Sequence, residues 1–151
     1  MKTLQYFLFI TVMAVFLAWH PNPASAQSAD EILFMMQEQL MVTMNKEPPL
    51  TEEDIKTYID HAEAIYRLRY ESDKLGSVVI EIDPWTEARF AYVTTKMAVG
   101  MFSLMRPDDP RNRQLPEFSK PTPQEMELIK RHQSELTKTM ESLQTKYSSG
   151  S

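Results

Sequence analysis

TPQEMELIKRHQSELTKTMESLQTKY, residues 122–147, decides the fold. Thr122 is a good N-cap residue, and Pro123 stands at the first helical position, where its missing N–H is no loss. Glu125 occupies the capping-box position, from which a carboxylate reaches back to the cap. Met126, Ile129, Gln133, Leu136, Met140, Leu143 and Tyr147 then recur at alternating spacings of three and four residues. That is a heptad seam, the pattern of a helix that buries one stripe against other helices. The stretch predicts one helix from Thr122 to about Tyr147, followed by a flexible tail at Ser148–Ser151.

Upstream, Arg106 to Pro121 contains Pro107, Pro110, Pro116 and Pro121 and reads as a long irregular connection. Such a loop limits how closely the last helix folds back. Before it, Pro84 to about Leu104 reads as a helix, with Asp83 as N-cap and Pro84 at the first position. From Phe90 to Met105 its single charge is Lys96. Tyr92, Val99 and Phe102 make one apolar face, and Met97, Met101 and Met105 make another. A helix apolar on more than one face belongs in the middle of a bundle or at an interface. Ser77–Asp83, with Val78, Val79, Ile80 and Ile82, has β-branched strand character but no partner run, and reads as a short extended connector.

Two more helices precede it. Thr51 to about Ser72 opens with an N-cap and with Glu52, Glu53 and Asp54, whose charges suit the positive end of a helix dipole. Its apolar stripe is Ile55, Tyr58, Ile59, Ala62, Ile65 and Tyr66, and Leu75-Gly76 reads as the stop. Arg69 continues the stripe. It is expected to ion-pair with Glu81, Asp83 or Glu87, or to extend its head to water, with anion binding as the functional alternative. Ser28 to about Met44 opens with Ser28 and Glu31 as a capping box and carries Leu33, Met36, Leu40 and Met44 at helical spacing. Pro48-Pro49 ends it. The sequence shows no internal repeat of 20 to 50 residues.

Met1–Ala26 reads as an address. Lys2 precedes an uncharged apolar run from Leu4 to Trp19, and Ala24-Ser25-Ala26 fits a signal-peptidase site. The run of 16 residues is shorter than the roughly 20 that span a bilayer. Removing residues 1–26, whose one charge is Lys2, leaves 15 basic and 21 acidic residues and a net charge of −6. That balance argues against nucleic acid and anionic membrane as main partners. The expected organisation is a signal peptide at 1–26, a single helical domain at 27–147 and a tail at 148–151. The expected location is the periplasm or the cell exterior.

Composition removes many chemistries. The chain has no Cys, which excludes disulfides, thiolate metal sites and a cysteine nucleophile. Its 3 glycines, at positions 76, 100 and 150, cannot form a phosphate-cradling loop. No H-E-x-x-H and no nucleophile elbow occur. His61 and His132 sit at the edges of their stripes and read as boundary residues. Glu52-Glu53-Asp54 and Asp108-Asp109 read as an exposed helix start and a loop, without the burial that acid–base catalysis requires.

Methionine is the oddest feature: Met35, Met36, Met41, Met44, Met97, Met101, Met105, Met126 and Met140 follow the leader. Thioethers fill irregular core gaps and make adaptable contact surfaces. They also bind Cu(I) or haem iron. An exported four-helix bundle with Met36 on its first helix and His132 on its last resembles the soluble periplasmic b-type cytochromes. That likeness, of architecture and residue type alone, implies haem held by this pair. Leu50-Thr51-x-x-Asp54 is similar to the L-T-x-x-Q pattern of small helical periplasmic stress chaperones, with Asp in place of Gln. One copy of a helix-start pattern assigns no family.

These readings converge on an all-α bundle of about four helices. It is expected to be non-enzymatic, to need no cofactor and to bind a protein or peptide partner, or a second copy of itself. The candidate contact residues are Met97, Met101, Phe102 and Met105, with Gly100 admitting a neighbouring backbone. The alternative is a haem- or copper-binding bundle using Met and His.

Overall fold

The computed structural model describes residues 38–71 and 82–148, with backbone alone at 68–71. The leader, the Ser28–Glu31 box, Leu33, Met36, most of the 77–83 connector, the Arg69 side chain and the Ser149–Ser151 end of the tail lie outside the described residues. Among those described, the chain is helical and contains no strand. Residues 38–44 are the described part of helix α1; α2 is Glu52–Asp60, α3 Ala62–Glu71, α4 Glu87–Met105, α5 Arg111–Gln114, α6 Pro123–Arg131 and α7 Gln133–Ser148, with a 3-10 turn at Glu117–Ser119. The all-α expectation therefore holds.

Helix α1 stops where the sequence runs into Pro48-Pro49, and Leu40 and Met44 bury its inner face. The Thr51 box forms as expected: Asp54 N donates to Thr51 Oγ1 at 3.2 Å, and Thr51 N donates to Asp54 Oδ2 at 2.8 Å. The helix expected over 51–72 is a kinked pair. His61 leaves helical geometry at φ −103° and ψ 10°. Its N–H and its Nδ1 both approach the Thr57 carbonyl, at 3.1 and 3.0 Å, while Ile65 N bonds His61 O and carries the chain on as α3.

The terminal helix repeats this design. Glu125 N donates to Thr122 Oγ1 at 3.2 Å, and Thr122 N donates to Glu125 Oε2 at 2.8 Å. The chain then kinks at His132, φ −96° and ψ 2°, between α6 and α7. Thr51, Asp54 and His61 stand in the same register as Thr122, Glu125 and His132. The two helix pairs thus share a local design, a Thr cap, an acid three residues on and a histidine at the break.

Helix α4 begins later than expected. Thr86, not Asp83, is the N-cap, and its hydroxyl accepts from Arg89 N at 3.1 Å. Asp83-Pro84 instead lies in a turn that Trp85 N closes onto Ile82 O at 2.7 Å. A tight turn there leaves the next Thr as the residue free to cap. The proline-rich connection also departs from expectation. It holds α5 and the 3-10 turn, and it buries Leu115 and Ser119.

Helix α4 is the axis of the bundle, packed against α2, α6 and the 3-10 turn, while α3 packs on α7. The main core gathers Leu40, Met44, Leu50, Ile55, Tyr92, Val93, Met97, Leu128, Ile129 and Leu136. A second, smaller cluster of Ala62, Tyr66 and Leu143 joins the far ends, where the Tyr66 and Tyr147 rings stack at 5.5 Å. The heptad seam of the terminal helix therefore divides between two cores. Gly100 serves this packing. It is buried, and a Cβ there would lie 2.5 Å from Ile129 Cδ1 and 3.2 Å from Pro121 Cγ. The close approach it permits is within the chain, so the loop does not hold the last helix away, and Gly100 is not the opening to a partner that was expected.

Gly100→Ala tests this. Alanine in mid-helix gains about 1 kcal/mol of helix propensity. Overpacking a close-fitted core costs about 1–3 kcal/mol. Ile129 is fully buried and has little room to retreat. Urea unfolding should therefore show a net loss of about 1 kcal/mol, balanced between these two effects. A stabilised variant would contradict the packing.

Candidate functional site

The chemistry-bearing side chains converge on one face of α4, at Arg89, Tyr92 and Lys96. Their i, i+3, i+7 spacing aligns them along the helix. Each meets a different part of the chain.

Arg89 meets Asp54. The guanidinium Nε donates to Asp54 Oδ1 at 3.1 Å, and Nη2 donates to Asp54 Oδ2. Nη2 also reaches Pro49 O at 3.0 Å, Nη1 reaches Pro48 O, and Glu47 Oε2 lies 3.7 Å from Nη1. Trp85 Nε1 adds a bond to Asp54 Oδ1 at 3.1 Å. Asp54 is 6% exposed, so the reading of Glu52-Glu53-Asp54 as an exposed helix start is corrected for Asp54. Burial drives its carboxyl towards the neutral form, but the hydrogen bonds from Arg89 and Thr51 outweigh that and hold it below its ordinary 3.8.

Tyr92 meets Glu125. Its hydroxyl donates to Glu125 Oε1 at 2.6 Å, and the same oxygen accepts Leu50 N at 2.9 Å. Glu125 is 2% exposed. Burial again opposes its charge, and the bonds from Tyr92, Thr122 and Leu50 overcome it, so its carboxyl stays below its ordinary 4.5. Burial, and then the bond to Glu125, pushes the Tyr92 hydroxyl well above its usual range.

Lys96 meets the loop. Its Nζ donates to Phe118 O at 2.9 Å and to Lys120 O at 2.5 Å, and lies 5.3 Å from the Tyr92 ring centroid. Burial lowers its pKa below the ordinary 10.5. The one charge in the apolar stretch of α4 thus anchors the proline-rich connection.

The four contact candidates separate. Met97 is fully buried in the core, a correction to its expected place in an available stripe: it points into the face of α4 that the bundle closes. Met101 is half-buried against the core. Phe102 is half-buried, with the Arg111 guanidinium 5.3 Å from its ring centroid. Met105, at the end of α4, is 64% exposed. Met41 and Val42 are exposed on α1.

The histidines lie at the two kinks, both half-buried, which fits boundary residues. His132 Nε2 contacts Glu52 Oε1, with Glu135 Oε2 at 3.6 Å from Nδ1. Met36, its proposed haem partner, is outside the described residues. No cluster of three or more His, Asp or Glu suited to a metal ion occurs among the described residues. Asp109 pairs with Arg111 at 2.7 Å, which with the Arg111 backbone N–H brings its carboxyl down to about 2.

Sequence reasoning missed Asp54, Arg89, Tyr92 and Glu125 as a set. Each carboxylate has a sufficient local explanation as a cap. The available signal was polar residues at i, i+3, i+7 on an apolar helix in a chain with two box acids. In comparisons with protein-family models, curated proteins and solved structures, nothing matches the chain.

The carboxylates set a pH dependence. Both bind fewer protons folded than unfolded, so their stabilisation is complete above their ordinary values of 3.8 and 4.5 and is lost as pH falls through the lower folded values. Asp54→Asn and Glu125→Gln should each be less stable than the wild type at neutral pH. Each should also lose less stability on acidification to about pH 3.5, because one linked proton is gone. Urea midpoints across pH measure both effects, and wild-type-like slopes in both variants would contradict the assignment.

Proposed function

We propose that the protein is a non-enzymatic helical component of the periplasm or cell exterior that binds a protein or peptide partner, or a second copy of itself. The C-terminal end of α4 is its contact region. The exposure of Met105 carries this reading. A large apolar side chain projects from the end of the central helix, flanked by half-buried Met101 and Phe102. Flexible thioethers suit a surface that must adapt to its partner. The ionisable groups around α4 support the non-enzymatic part: Asp54, Arg89, Tyr92, Lys96 and Glu125 satisfy one another and nearby carbonyls. The export part rests on the leader-like pattern of Met1–Ala26. No helix among the described residues is long and apolar enough to cross a membrane.

Met105→Glu tests the contact. Its exposure means the charge needs no room in the core, so thermal unfolding should stay near wild type. A photo-crosslinking residue at position 105 should give a discrete adduct in cells, and one at exposed position 138 should not. Met105→Glu should weaken any self-association seen by sedimentation. A strictly monomeric wild type with no adduct at 105 would contradict the reading.

A further inference from the structure

Helix α4 is held on two sides by helices that begin with a buried acid. The Asp54–Arg89 bonds cross the α2–α4 interface, and the Glu125–Tyr92 bond crosses the α6–α4 interface. Each acid sits in the first turn of its helix, and each helix ends at a histidine kink where the backbone already leaves helical geometry. Beyond the kinks, α3 and α7 are tied together without Asp54 or Glu125, through Ala62, Tyr66, Leu143 and the Tyr66–Tyr147 stack, and at the surface through Glu63, which accepts from Lys146 Nζ and Tyr147 OH at 2.7 Å.

We propose that Asp54 and Glu125 form a paired acid-sensitive latch: protonation lets α2 and α6 swing away from α4 at the His61 and His132 kinks, while α3 and α7 stay joined. The opened state presents the apolar faces of α4, including Val93 and Met97. The partner reading is not needed for this behaviour.

The surroundings of each acid set the direction. Asp54 faces Arg89, with Glu47 behind the guanidinium, and accepts from Trp85 and Thr51. A protonated Asp54 leaves Arg89 with the Pro48 and Pro49 carbonyls and Glu47. Glu125 faces the Tyr92 hydroxyl and the Leu50 and Thr122 amides, the positive charge of Lys96 also favours its ionised form, and Glu117 acts on that lysine. Its two oxygens accept from three donors, so adding a proton sets a fourth donor against them. Across the kink, His132 faces Glu52 and Glu135, and Arg131 lies 3.6 Å from Glu52. Those groups tie the first turn of α2 to the α6–α7 corner, so opening must also break this Glu52 contact. Main-chain helix bonds carry no titratable group, which leaves the helices themselves in place.

Asparagine and glutamine mimic the neutral acids at unchanged size. The full chain carrying Asp54→Asn and Glu125→Gln should bind a hydrophobic dye at neutral pH with severalfold higher fluorescence than wild type, while its far-UV circular dichroism stays helical. The wild type should reach the same state only on acidification below the ordinary carboxylate values of 3.8 and 4.5. The control pair Glu53→Gln and Glu127→Gln, both exposed, should behave as wild type. A dye-silent double variant, a double variant without helical signal, or a control pair that also opens would each overturn the latch. So would a wild type that loses helix and gains dye in one acid transition.

Discussion

The structure depends on carboxylates that each do two jobs. Asp54 and Glu125 close the hydrogen-bonding of their own helix starts, and both also bind α4 across an interface. Taking a carboxylate out of water is costly unless its oxygens are fully bonded. Here the cap supplies part of that bonding and Arg89 or Tyr92 supplies the rest. Neither role is complete alone: a cap without α4 would leave a buried charge underbonded, and a cross-link without the cap would leave a helix start open.

This arrangement also fixes orientation. An apolar helix such as α4 could rotate among several packings with similar burial, because Val93, Met97 and Val99 are interchangeable in character. Arg89, Tyr92 and Lys96 select one rotation, since each has a polar partner at a single position around the bundle. The methionines then fill what remains: Met44 and Met97 are core, while Met105 is left at the surface. Gly100 lets α6 approach closely enough for Ile129 to reach full burial.

Much of the fold was legible because helix signals are local. Thr51, Thr122, Pro123 and the Pro48-Pro49 stop all act where periodicity placed them; Leu40, Ile55, Ala62, Val99, Ile129, Leu136 and Leu143 are buried as their spacing implies, while Ile59 and Phe102, expected in the same core, are half-buried. The kinks were not legible, since His61 and His132 interrupt geometry without interrupting the apolar pattern. The start of α4 was misplaced because two cap candidates, Asp83 and Thr86, compete within one turn. The site was least legible of all. Asp54 and Glu125 look locally satisfied in sequence, and their long-range partners, 35 and 33 residues away, are marked only by the polar i, i+3, i+7 positions of α4, which do not say what they pair with.

The central claim, that a capping acid is also a tie to α4, is tested most directly by a double-mutant cycle between Tyr92→Phe and Glu125→Gln. Tyr92→Phe removes the hydroxyl donor, and Glu125→Gln removes the charge that strengthens the bond, both at nearly unchanged size. Unfolding free energies should be non-additive, with a coupling of about 1–3 kcal/mol, as for groups in one buried network. Additivity within about 0.3 kcal/mol would mean that Glu125 does not tie its helix to α4 through Tyr92, and would contradict the account.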